Sequence, residues 1–394
     1  MITNPQIRMN NARAAFGRFA LALVAAVAAC DKGQSYARPP ASEYTVSRMP
    51  LATSSAVDTV QVATVTPEFL RVSGVRAVLG RLFIADTGNH RLVKLNPDGT
   101  LDVLAGTGTS GSPVNGGKAR SATLHKPEGV AVDAQGNLFV SDAENRVVQK
   151  INGLGIISIV VGNGQFGYSG DGGPAVRATL ATPHDLKIDR GGNLIIADWG
   201  IGPHRQRLRR VSPDGIISSI LPEGADALKI VQPQCLALDN LGNILVGDGD
   251  TDRVWKIHPD GTVTLVAGAE HSDRSQKDYY AAPAPGTPLN TTLNDPRGVA
   301  ADTHGNIFIS DSANHRVLKV DLNGLIRVVA GNGKKTYQGE GYYSGDGGPA
   351  VKASLSFPAG LLVDTKGNLF IVDSGNNRVR KVNAEGVIMT VAGY

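Results

Sequence analysis

An all-β fold built from repeated four-stranded units is the fold class that the sequence predicts, and three observations support it. Residues 127–164 contain four short runs rich in Val, Ile and Phe, each bounded by turn residues and too short for a helix. The same plan returns five more times along the 394 residues. Gly is abundant, at 48 residues, and frequent Asn-Gly and Asp-Gly pairs indicate tight turns between short strands.

Each unit follows one pattern: Pro-x-Gly, three apolar residues, Asp-x-x-Gly-Asn, three apolar residues and x-Asp. Five copies begin with the Pro, and a first copy near Gly74 lacks it. The Gly-Asn pair supplies the positive φ that a tight hairpin between the first two strands needs. The closing Asp marks the same position in all six copies: Asp86, Asp142, Asp198, Asp248, Asp311 and Asp373.

Six four-stranded antiparallel units in series predict a six-bladed β-propeller over residues 67–394. Packing the units face to face in a ring buries both faces of each sheet, and closure leaves no terminal unit exposed. An open solenoid is the alternative, although no unit looks like a polar cap. Residues 387–393 supply the last fourth strand, so we expect the alternating residues 58–65 to form an additional outer strand or an N-terminal clasp.

The first 29 residues are typical of an export signal. Residues 19–29 form an 11-residue apolar run, too short to span a bilayer. Three arginines precede this run: Arg8, Arg13 and Arg18. The run ends in Val-Ala-Ala-Cys, which resembles the lipobox of bacterial lipoproteins and implies a signal peptide over residues 1–29 with lipid on Cys30. An ordinary cleaved signal and a retained anchor are the alternatives, and a start at Met9 would give a more usual signal length.

Residues 30–66 mix Ser, Ala and Pro and indicate a flexible tether between the membrane and the propeller. Removing the signal lowers the formal net charge from +4 to +1, because its three arginines are its only charged residues. A nearly neutral chain argues against a nucleic-acid partner. We therefore expect an exported monomer of the bacterial cell envelope, held to the membrane by lipid on Cys30.

The loops after the second strands carry a family resemblance. Residues 86–91 read Asp-Thr-Gly-Asn-His-Arg, and residues 311–316 and 373–378 read almost the same. Together with the preceding GVAVD-like and GNLFVSD-like runs, they resemble the NHL repeat, which implies a propeller. The resemblance does not specify function, since NHL propellers bind RNA, proteins or small ligands and a related lyase exists.

A second loop resembles the secreted bacterial branch of that family. Residues 168–175 and 343–350 read Tyr-Ser-Gly-Asp-Gly-Gly-Pro-Ala, and residues 115–119 are a degenerate copy. We expect the Asp of each loop, Asp171 or Asp346, to cap a turn between blades. An anion-binding nest and a Ca²⁺ loop are the alternatives.

Several polar groups that stand out in the sequence are predicted to be framework. The Asp and Arg that flank the second hairpin in every unit should form a charge-assisted staple, as in residues 86–91. The acidic residues 248–252 lack the central Gly and the bidentate Glu of a Ca²⁺ loop. The basic residues 204–210 are expected to form a solvated strand. Cys235 lies in a predicted strand and is expected to be a small buried hydrophobe.

The residue after each repeat Pro is the first candidate binding position. The first strand is expected nearest the axis, so this residue lies at the channel mouth, on the face of the loops that follow the second and fourth strands. Its identity changes while its surroundings repeat: Glu128, His184, Gln234, Arg297 and Ala359. Framework should repeat and function should not, so we interpret the mouth as a site; drift of solvent-facing residues is the alternative.

Tyrosines on the same face are the second candidate. Tyr168 begins one Gly-Asp-Gly-Gly loop, and the long segments 269–295 and 332–357 adjoin the fifth unit. These segments contain Tyr279, Tyr280, Tyr337, Tyr342 and Tyr343. Tyr combines a large contact area with a polar tip, which suits recognition.

The function predicted is a non-catalytic binding or scaffold module without a cofactor, which recognises an envelope protein, a glycan or a small ligand. The alternative is a metal-dependent lyase or hydrolase at the channel mouth. His184 resembles one of the three zinc-binding histidines of the NHL-like amidating lyase, whose other two have no match here. Glu128 is the only acid at the level where six-bladed lactonases hold Ca²⁺.

Overall fold

The structure, a computed structural model, describes residues 72–78, 81–200, 207–220, 230–269, 287–335 and 341–393. All of these residues belong to the second of two units, Thr59–Tyr394. Several predictions lie outside the described residues: the signal, Cys30, residues 58–65, Tyr279, Tyr280 and Tyr337. Within the described ranges the helices are three-residue 3₁₀ turns, and none could cross a bilayer.

The strands form six blades in chain order. Blade 1 contains β1 (Val72–Val78), β2 (Arg81–Asp86), β3 (Arg91–Leu95) and β4 (Leu101–Ala105). After the short β5 (Gly117–Lys118), blade 2 contains β6 (Pro127–Val132), β7 (Leu138–Asp142), β8 (Val147–Ile151) and β9 (Ile156–Val161). Blade 3 contains β10 (Pro183–Ile188), β11 (Leu194–Asp198), β12 (Arg207–Val211) and β13 (Ile217–Ser219).

The second half of the chain repeats the arrangement. Blade 4 contains β14 (Pro233–Leu238), β15 (Ile244–Asp248), β16 (Arg253–Ile257) and β17 (Val263–Ala267). Blade 5 contains β18 (Pro296–Ala301), β19 (Ile307–Asp311), β20 (Arg316–Val320) and β21 (Ile326–Ala330). Blade 6 contains β22 (Pro358–Val363), β23 (Leu369–Asp373), β24 (Arg378–Val382) and β25 (Ile388–Gly393). The 3₁₀ turns are Thr87–Asn89, Ala119–Ser121, Ala175–Arg177, Pro288–Asn290, Ser312–Asn314, Ala350–Lys352 and Ser374–Asn376.

The predicted six-bladed propeller is confirmed. Within each blade, consecutive strands pair antiparallel. The first strands of successive blades pack in a ring, and β22 packs against β1, which excludes the open solenoid. Blade 6 takes its four strands from continuous sequence, with β25 as its fourth strand, as predicted.

Apolar side chains fill the spaces between neighbouring blades. Leu245 of blade 4, for example, packs in one fully buried cluster with Ile309 and Leu318 of blade 5. Burying such a side chain contributes about 1.5–3 kcal/mol. Both faces of a blade are covered in this way, which explains why its strands read as almost continuous runs of Val, Ile and Leu.

The first strands approach one another so closely that their third residue must be small. A Cβ on Gly129 would overlap the His184 carbonyl oxygen, and one on Gly298 would overlap the Ala359 carbonyl oxygen. Close approach of backbones is a recurring reason for Gly. Blades 3 and 4 depart from this rule, since they carry Asp185 and Cys235 at the same position.

The Asp at the end of each second strand is fully buried, and in blades 2 to 6 it binds the segment that precedes its own blade. The Oδ1 atom of Asp142 accepts a hydrogen bond from the His125 backbone N–H at 2.6 Å. Asp311 accepts the equivalent bond from the Asn294 N–H at 2.7 Å. The same contact recurs in blades 3, 4 and 6: Ala181 and Thr182 to Asp198, Val231 and Gln232 to Asp248, and Ser356 to Asp373.

The predicted Asp–Arg staple is present in two blades, as Arg91 with Asp86 at 2.7 Å and Arg316 with Asp311 at 2.6 Å. Its predicted recurrence in every unit is wrong for blade 2. There Val147 pairs opposite Asp142, and Arg146 occupies a left-handed turn position at φ 57°. Asp142 accepts instead from Asn145 Nδ2 at 2.8 Å and from Gln149 Nε2 at 2.7 Å.

The two Gly-Asp-Gly-Gly loops cover the outer edge of the blade that follows them. Pro174 forms an antiparallel bridge with Ile216, next to β13, and Pro349 forms one with Val387, next to β25. In blade 2 the degenerate loop provides β5, which pairs with β9. The loops therefore protect the edges of these sheets, a role wider than the turn cap expected from the sequence.

A buried arginine anchors each of these loops. Arg380 Nη2 donates to Asp346 Oδ1 at 2.5 Å, and the Thr390 N–H donates to Asp346 Oδ2 at 2.9 Å. Arg209 binds Asp171 in the same way, at 2.5 Å. Both arginine side chains are fully buried, so the expectation of a solvated strand over residues 204–210 is wrong for Arg209.

Burial also changes the titration of the Asp framework. Desolvation raises the pKa of Asp142 and Asp373 to about 6 and that of Asp198 to about 7. In the part of the chain that the structure describes, Asp198 Oδ2 has no hydrogen-bond partner. The unfolded Asp pKa is about 3.9, so these groups stabilise the fold most below that pH, and the contribution is lost as the pH rises through the folded pKa.

We predict that Asp198→Asn removes part of this pH dependence. The amide carries no charge, so between about pH 5 and pH 8 the free energy of unfolding of the variant should rise relative to wild type by at most about 3 kcal/mol. Urea denaturation of both proteins at the two pH values measures this change in the free energy of unfolding. Asp98→Asn is the control: Asp98 is exposed and hydrogen bonds from Thr100 lower its pKa, so changes should appear only in acid. If the free energies of unfolding of wild type and Asp198→Asn differ by the same amount at both pH values, the account is contradicted.

We predict that Asp346→Ala destabilises the protein by about 3 kcal/mol, because the buried Arg380 guanidinium loses its short contact with a carboxylate and keeps only the longer one to Asp373, at 3.7 Å. Arg380 keeps hydrogen bonds to the carbonyl oxygens of Ser354 and Ser344, both at 2.9 Å. Asp346→Ala combined with Arg380→Met should recover most of the loss.

Glu144→Ala is the matched control for the loop variants, since its ion pair with Lys126, at 2.9 Å, lies at the surface. It should cost less than about 1 kcal/mol in urea denaturation. If Asp346→Ala is no more damaging than Glu144→Ala, the loop does not depend on the buried arginine.

Candidate functional site

A cavity of about 330 Å³ opens at the axis of the ring, on the face of the loops that follow the second strands. It is lined by the four predicted mouth residues that carry long polar side chains: Glu128, His184, Gln234 and Arg297. Ala359 lines the same cavity from blade 6. The position that varies between units therefore converges on one concave surface.

Glu128 and His184 form the central pair of this cavity. They lie at the second position of β6 and of β10, in adjacent blades, and His184 Nδ1 donates to Glu128 Oε2. Each side chain is only about one-fifth exposed, at 23% and 22%. Ser141 Oγ fixes the two strands, because it accepts from the Gly129 N–H and donates to the His184 carbonyl oxygen, each at 2.6 Å.

The charges of this pair stabilise one another. Burial lowers the His184 pKa, but the Glu128 carboxylate raises it more, and the net pKa lies above its ordinary value. Burial raises the Glu128 pKa, but the His184 imidazolium lowers it by more, so the net pKa lies below its ordinary value. Arg297 lowers both pKa values, so its guanidinium acts on the same site. Between the two pKa values the contact is an ion pair.

Trp199 completes one wall and was not identified from the sequence. Its ring meets the His184 imidazole edge-on, with centroids 5.7 Å apart and planes at 72°. The Trp199 backbone N–H donates to the Thr182 carbonyl oxygen at 3.0 Å. The same position in the other blades carries a small residue: Thr87, Ala143, Gly249, Ser312 or Ser374. In the sequence, a large aromatic residue where the other units carry small ones was the feature that could have identified Trp199.

Asp185 and Lys187 are a second missed pair. Lys187 Nζ contacts Asp185 Oδ1 and Oδ2 at 2.6 Å and 2.7 Å. Asp185 Oδ2 also accepts from the Leu236 N–H of the next blade at 2.8 Å. Asp185 occupies the third position of its first strand, where the close approach of neighbouring backbones requires Gly in other blades. That departure from the repeat could have identified Asp185 from the sequence.

Cys235 makes the same departure in blade 4, without a charge. Its side chain is buried, and its thiol contacts the Pro296 carbonyl oxygen at 3.5 Å. Burial raises the pKa of the thiol, so Cys235 is a neutral packing residue, as predicted.

Arg297 and Gln234 form the opposite wall. Arg297 Nε and Nη2 contact Asp295 Oδ2 at 2.7 Å and 2.6 Å, and the Arg297 side chain is 46% exposed. The Gln234 amide packs against Gly249, where a Cβ would overlap it. Among the described residues, Gln234 Oε1 and His184 Nε2 have no hydrogen-bond partner.

The predicted tyrosines that the structure describes lie outside this cavity. Tyr168, Tyr342 and Tyr343 are 42%, 48% and 41% exposed, and none of them lines the mouth. Tyr343 contributes to its own loop, since its hydroxyl donates to Asp346 Oδ2 at 2.8 Å and the Arg378 guanidinium lies 4.0 Å from its ring centroid.

The histidines of the Asn-His-Arg loops belong to the framework. His90 Nδ1 accepts from the Lys126 N–H, and His315 Nδ1 from the Phe357 N–H, each at 3.1 Å. Each bond joins a loop to the segment that precedes the next blade. Across the described ranges, no group of three or more His, Cys, Asp or Glu side chains is arranged to hold a metal ion.

Comparison with known proteins places these features in a family. A family model described as the Teneurin NHL domain matches residues 49–169 and 321–394, and the NHL repeat model matches residues 293–320. The chain is 26% identical to mouse teneurin-1 over 285 residues, which are 63% of this chain and 10% of teneurin-1. It is 25% identical to the chloroplastic protein Suppressor of Quenching 1 of Arabidopsis thaliana over 319 residues, 77% of this chain and 29% of that protein. The chain thus spans less than a third of either relative.

Solved structures show the same architecture at low identity. An auxiliary nutrient binding protein from Bacteroides thetaiotaomicron gives a TM-score of 0.57 at 12% identity, covering 82% of this chain and 70% of that one. A gluconolactonase from Xanthomonas campestris gives 0.51 at 18% identity, covering 78% and 84%. These likenesses bear on the fold alone. With the family matches and the repeated loops, they lead to one conclusion: the chain carries an NHL-type six-bladed β-propeller.

Proposed function

We propose that the chain is a non-catalytic binding module that holds a small polar ligand at the channel mouth. One observation carries the proposal: the side chains that differ between blades converge on a single cavity, whereas the repeated side chains bind the framework. At about 330 Å³ the cavity is at the lower end of the 300–1,000 Å³ typical of ligand pockets.

The electrostatics of the site support binding. Glu128 and His184 satisfy each other, and so do Asp185 and Lys187. Side chains held in place by neighbours of opposite charge need little reordering when a ligand arrives, which lowers the entropic cost of association. The floor and walls come from β-strands, which hold these groups more rigidly than loops would.

The metal-dependent lyase or hydrolase stays an alternative prediction. It would use His184 or Glu128 as a metal ligand, and each is bound to the other in the structure. Elemental analysis of the purified protein tests it directly, since stoichiometric, tightly bound Zn²⁺ or Ca²⁺ would favour it.

We predict that Gln234→Ala combined with Arg297→Ala abolishes ligand capture. Wild-type protein is incubated with a small-molecule extract of its host cells, separated from unbound material by gel filtration and examined by mass spectrometry for retained molecules. Loss of two polar side chains from the mouth should weaken a ligand by about 2–4 kcal/mol, enough to remove it during separation.

The matched control is Gln135→Ala combined with Arg190→Ala, the same two changes in exposed turns between first and second strands, on the opposite face of the ring. It should retain what the wild type retains. Equal retention by the mouth variant would place the ligand elsewhere and reject the proposed site.

We further propose that the module belongs to a bacterial envelope lipoprotein of the secreted branch. The support is the apolar run at residues 19–29 followed by Cys30, and the Gly-Asp-Gly-Gly loops. An exported, membrane-anchored module would meet its ligand outside the cytoplasm, in the envelope.

We predict that Cys30→Ser prevents lipid attachment. In bacteria fed an alkyne-tagged palmitate, wild-type protein should acquire the tag and partition into detergent, and Cys30→Ser should do neither. Cys235→Ser is the control, because its thiol is buried, and it should label like wild type. Labelling of Cys30→Ser, or none of wild type, would refute the anchor.

A further inference from the structure

The charges at the channel mouth cancel in pairs. Three cations face it, and each contacts one carboxylate: His184 with Glu128, Lys187 with Asp185 at 2.6 Å, and Arg297 with Asp295 at 2.6 Å. Cys235, the other titratable side chain in the wall, is buried and neutral. With the His184 imidazole protonated, these three pairs carry no net charge; Asp295 completes the third pair from outside the cavity lining.

Paired charges discriminate against a charged ligand. An incoming anion is attracted by each cation but repelled by the carboxylate beside it, and an incoming cation meets the reverse. The Coulomb gain is small, while the ligand still loses its hydration, which is costly for a full charge. Like-charge contacts of this kind reduce affinity for the wrong partner.

Hydroxyl groups suit the same pairs. A hydroxyl donates one hydrogen bond and accepts two, so it can donate to Glu128 and accept from Arg297. Asp185 and Lys187 already bond one another and the neighbouring backbone, so they shape the wall and leave the hydroxyls to the other pairs. Hydrogen bonds to ionised groups are about twice as strong as neutral ones. Vicinal hydroxyls on one ring would engage both members of a pair without separating them.

One further feature of the wall fits such a molecule. The Trp199 ring adds an apolar surface beside His184. Aromatic surface next to polar groups suits a ring with C–H faces and hydroxyl edges.

The depth of the channel limits the size of the ligand. Beneath the mouth a second cavity of about 160 Å³ is lined mainly by the backbone and aliphatic side chains of the first strands. Lys187 lines both cavities, so its salt bridge with Asp185 marks the boundary between them. Apart from Lys187, the charged side chains that line the channel thus lie around the upper 330 Å³.

We propose that the mouth binds a neutral polyhydroxylated molecule of mono- or disaccharide size, with hydroxyls bonded to the Glu128–His184 pair. The proposal rests on the proposed function and assigns its ligand class. Arg297 contributes a donor from the opposite wall, and Trp199 packs against the ring of the ligand.

The test is isothermal titration calorimetry with matched sugars. Neutral ligands are glucose, galactose, maltose and cellobiose; charged counterparts are glucuronate, gluconate and glucosamine. At least one neutral sugar should bind wild type more tightly than its charged counterpart. Glu128→Gln should weaken that sugar about tenfold or more, since it removes a charged acceptor. Glu144→Gln, the same change in an exposed ion pair of the same blade, should leave affinity unchanged.

A second variant tests charge pairing separately from folding. Asp295→Asn leaves the Arg297 guanidinium unpaired, so the mouth gains one net positive charge. Glucuronate should then bind about fivefold more tightly than it binds wild type, with little change for the neutral sugar. A general loss of structure would weaken both ligands together, so a selective gain for the anion identifies the electrostatic role.

The outcomes separate the ligand class from the site. If a charged sugar binds wild type best and Glu128→Gln abolishes that binding, the class is wrong and the mouth site stands. If no neutral sugar binds at millimolar concentration, the class is also wrong. If a sugar binds but neither Glu128→Gln nor the Gln234 and Arg297 double variant affects it, the proposed function itself fails.

Discussion

The buried carboxylate at the end of each second strand is the contact on which the propeller depends. It has no access to water, and in blades 2 to 6 it accepts backbone N–H groups from the segment that precedes its own blade, as Asp311 does from Asn294 at 2.7 Å. That bond fixes where the first strand begins, and hence where its second residue points. Burying such a group is unfavourable unless its hydrogen bonds are made, so the surrounding loops must adopt one geometry. The mouth residues inherit their positions from this arrangement.

The side chains that line the mouth lie where the repeat departs from itself, and blade 3 departs most. It supplies His184 at the variable second position, Asp185 where other blades need Gly, Lys187 at the boundary of the two cavities, and Trp199 where they carry small residues. Blade 2 supplies the one acid, Glu128, that balances His184. An irregular ring of polar side chains on a regular framework gives a site with directional contacts on one side, which suits an asymmetric small ligand.

The repeat period made the fold predictable, because the same strands and turns recur six times and each copy supports the others. It also predicted that Glu128, His184, Gln234 and Arg297 would meet. Departures at other positions were harder to recognise: Trp199 and Asp185 required comparing every position of the repeat, not only the variable one. The burial of Arg209 could not be predicted locally, since its partner Asp171 lies 38 residues earlier, on the loop that joins blades 2 and 3. The recurrence of the Asp–Arg staple was overestimated because Arg146 is displaced by one residue relative to Asp142.

The central claim is that recognition takes place at the axis and not at the tyrosine-bearing loops. Hydrogen–deuterium exchange of the protein saturated with its captured ligand tests this most directly, because amides that close around a ligand exchange more slowly. The account predicts slower exchange in Pro127–Val132 and Pro183–Ile188, which carry Glu128 and His184, and no change in residues 168–175 or 343–350. Protection confined to those two outer loops, with the first strands unchanged, would contradict it.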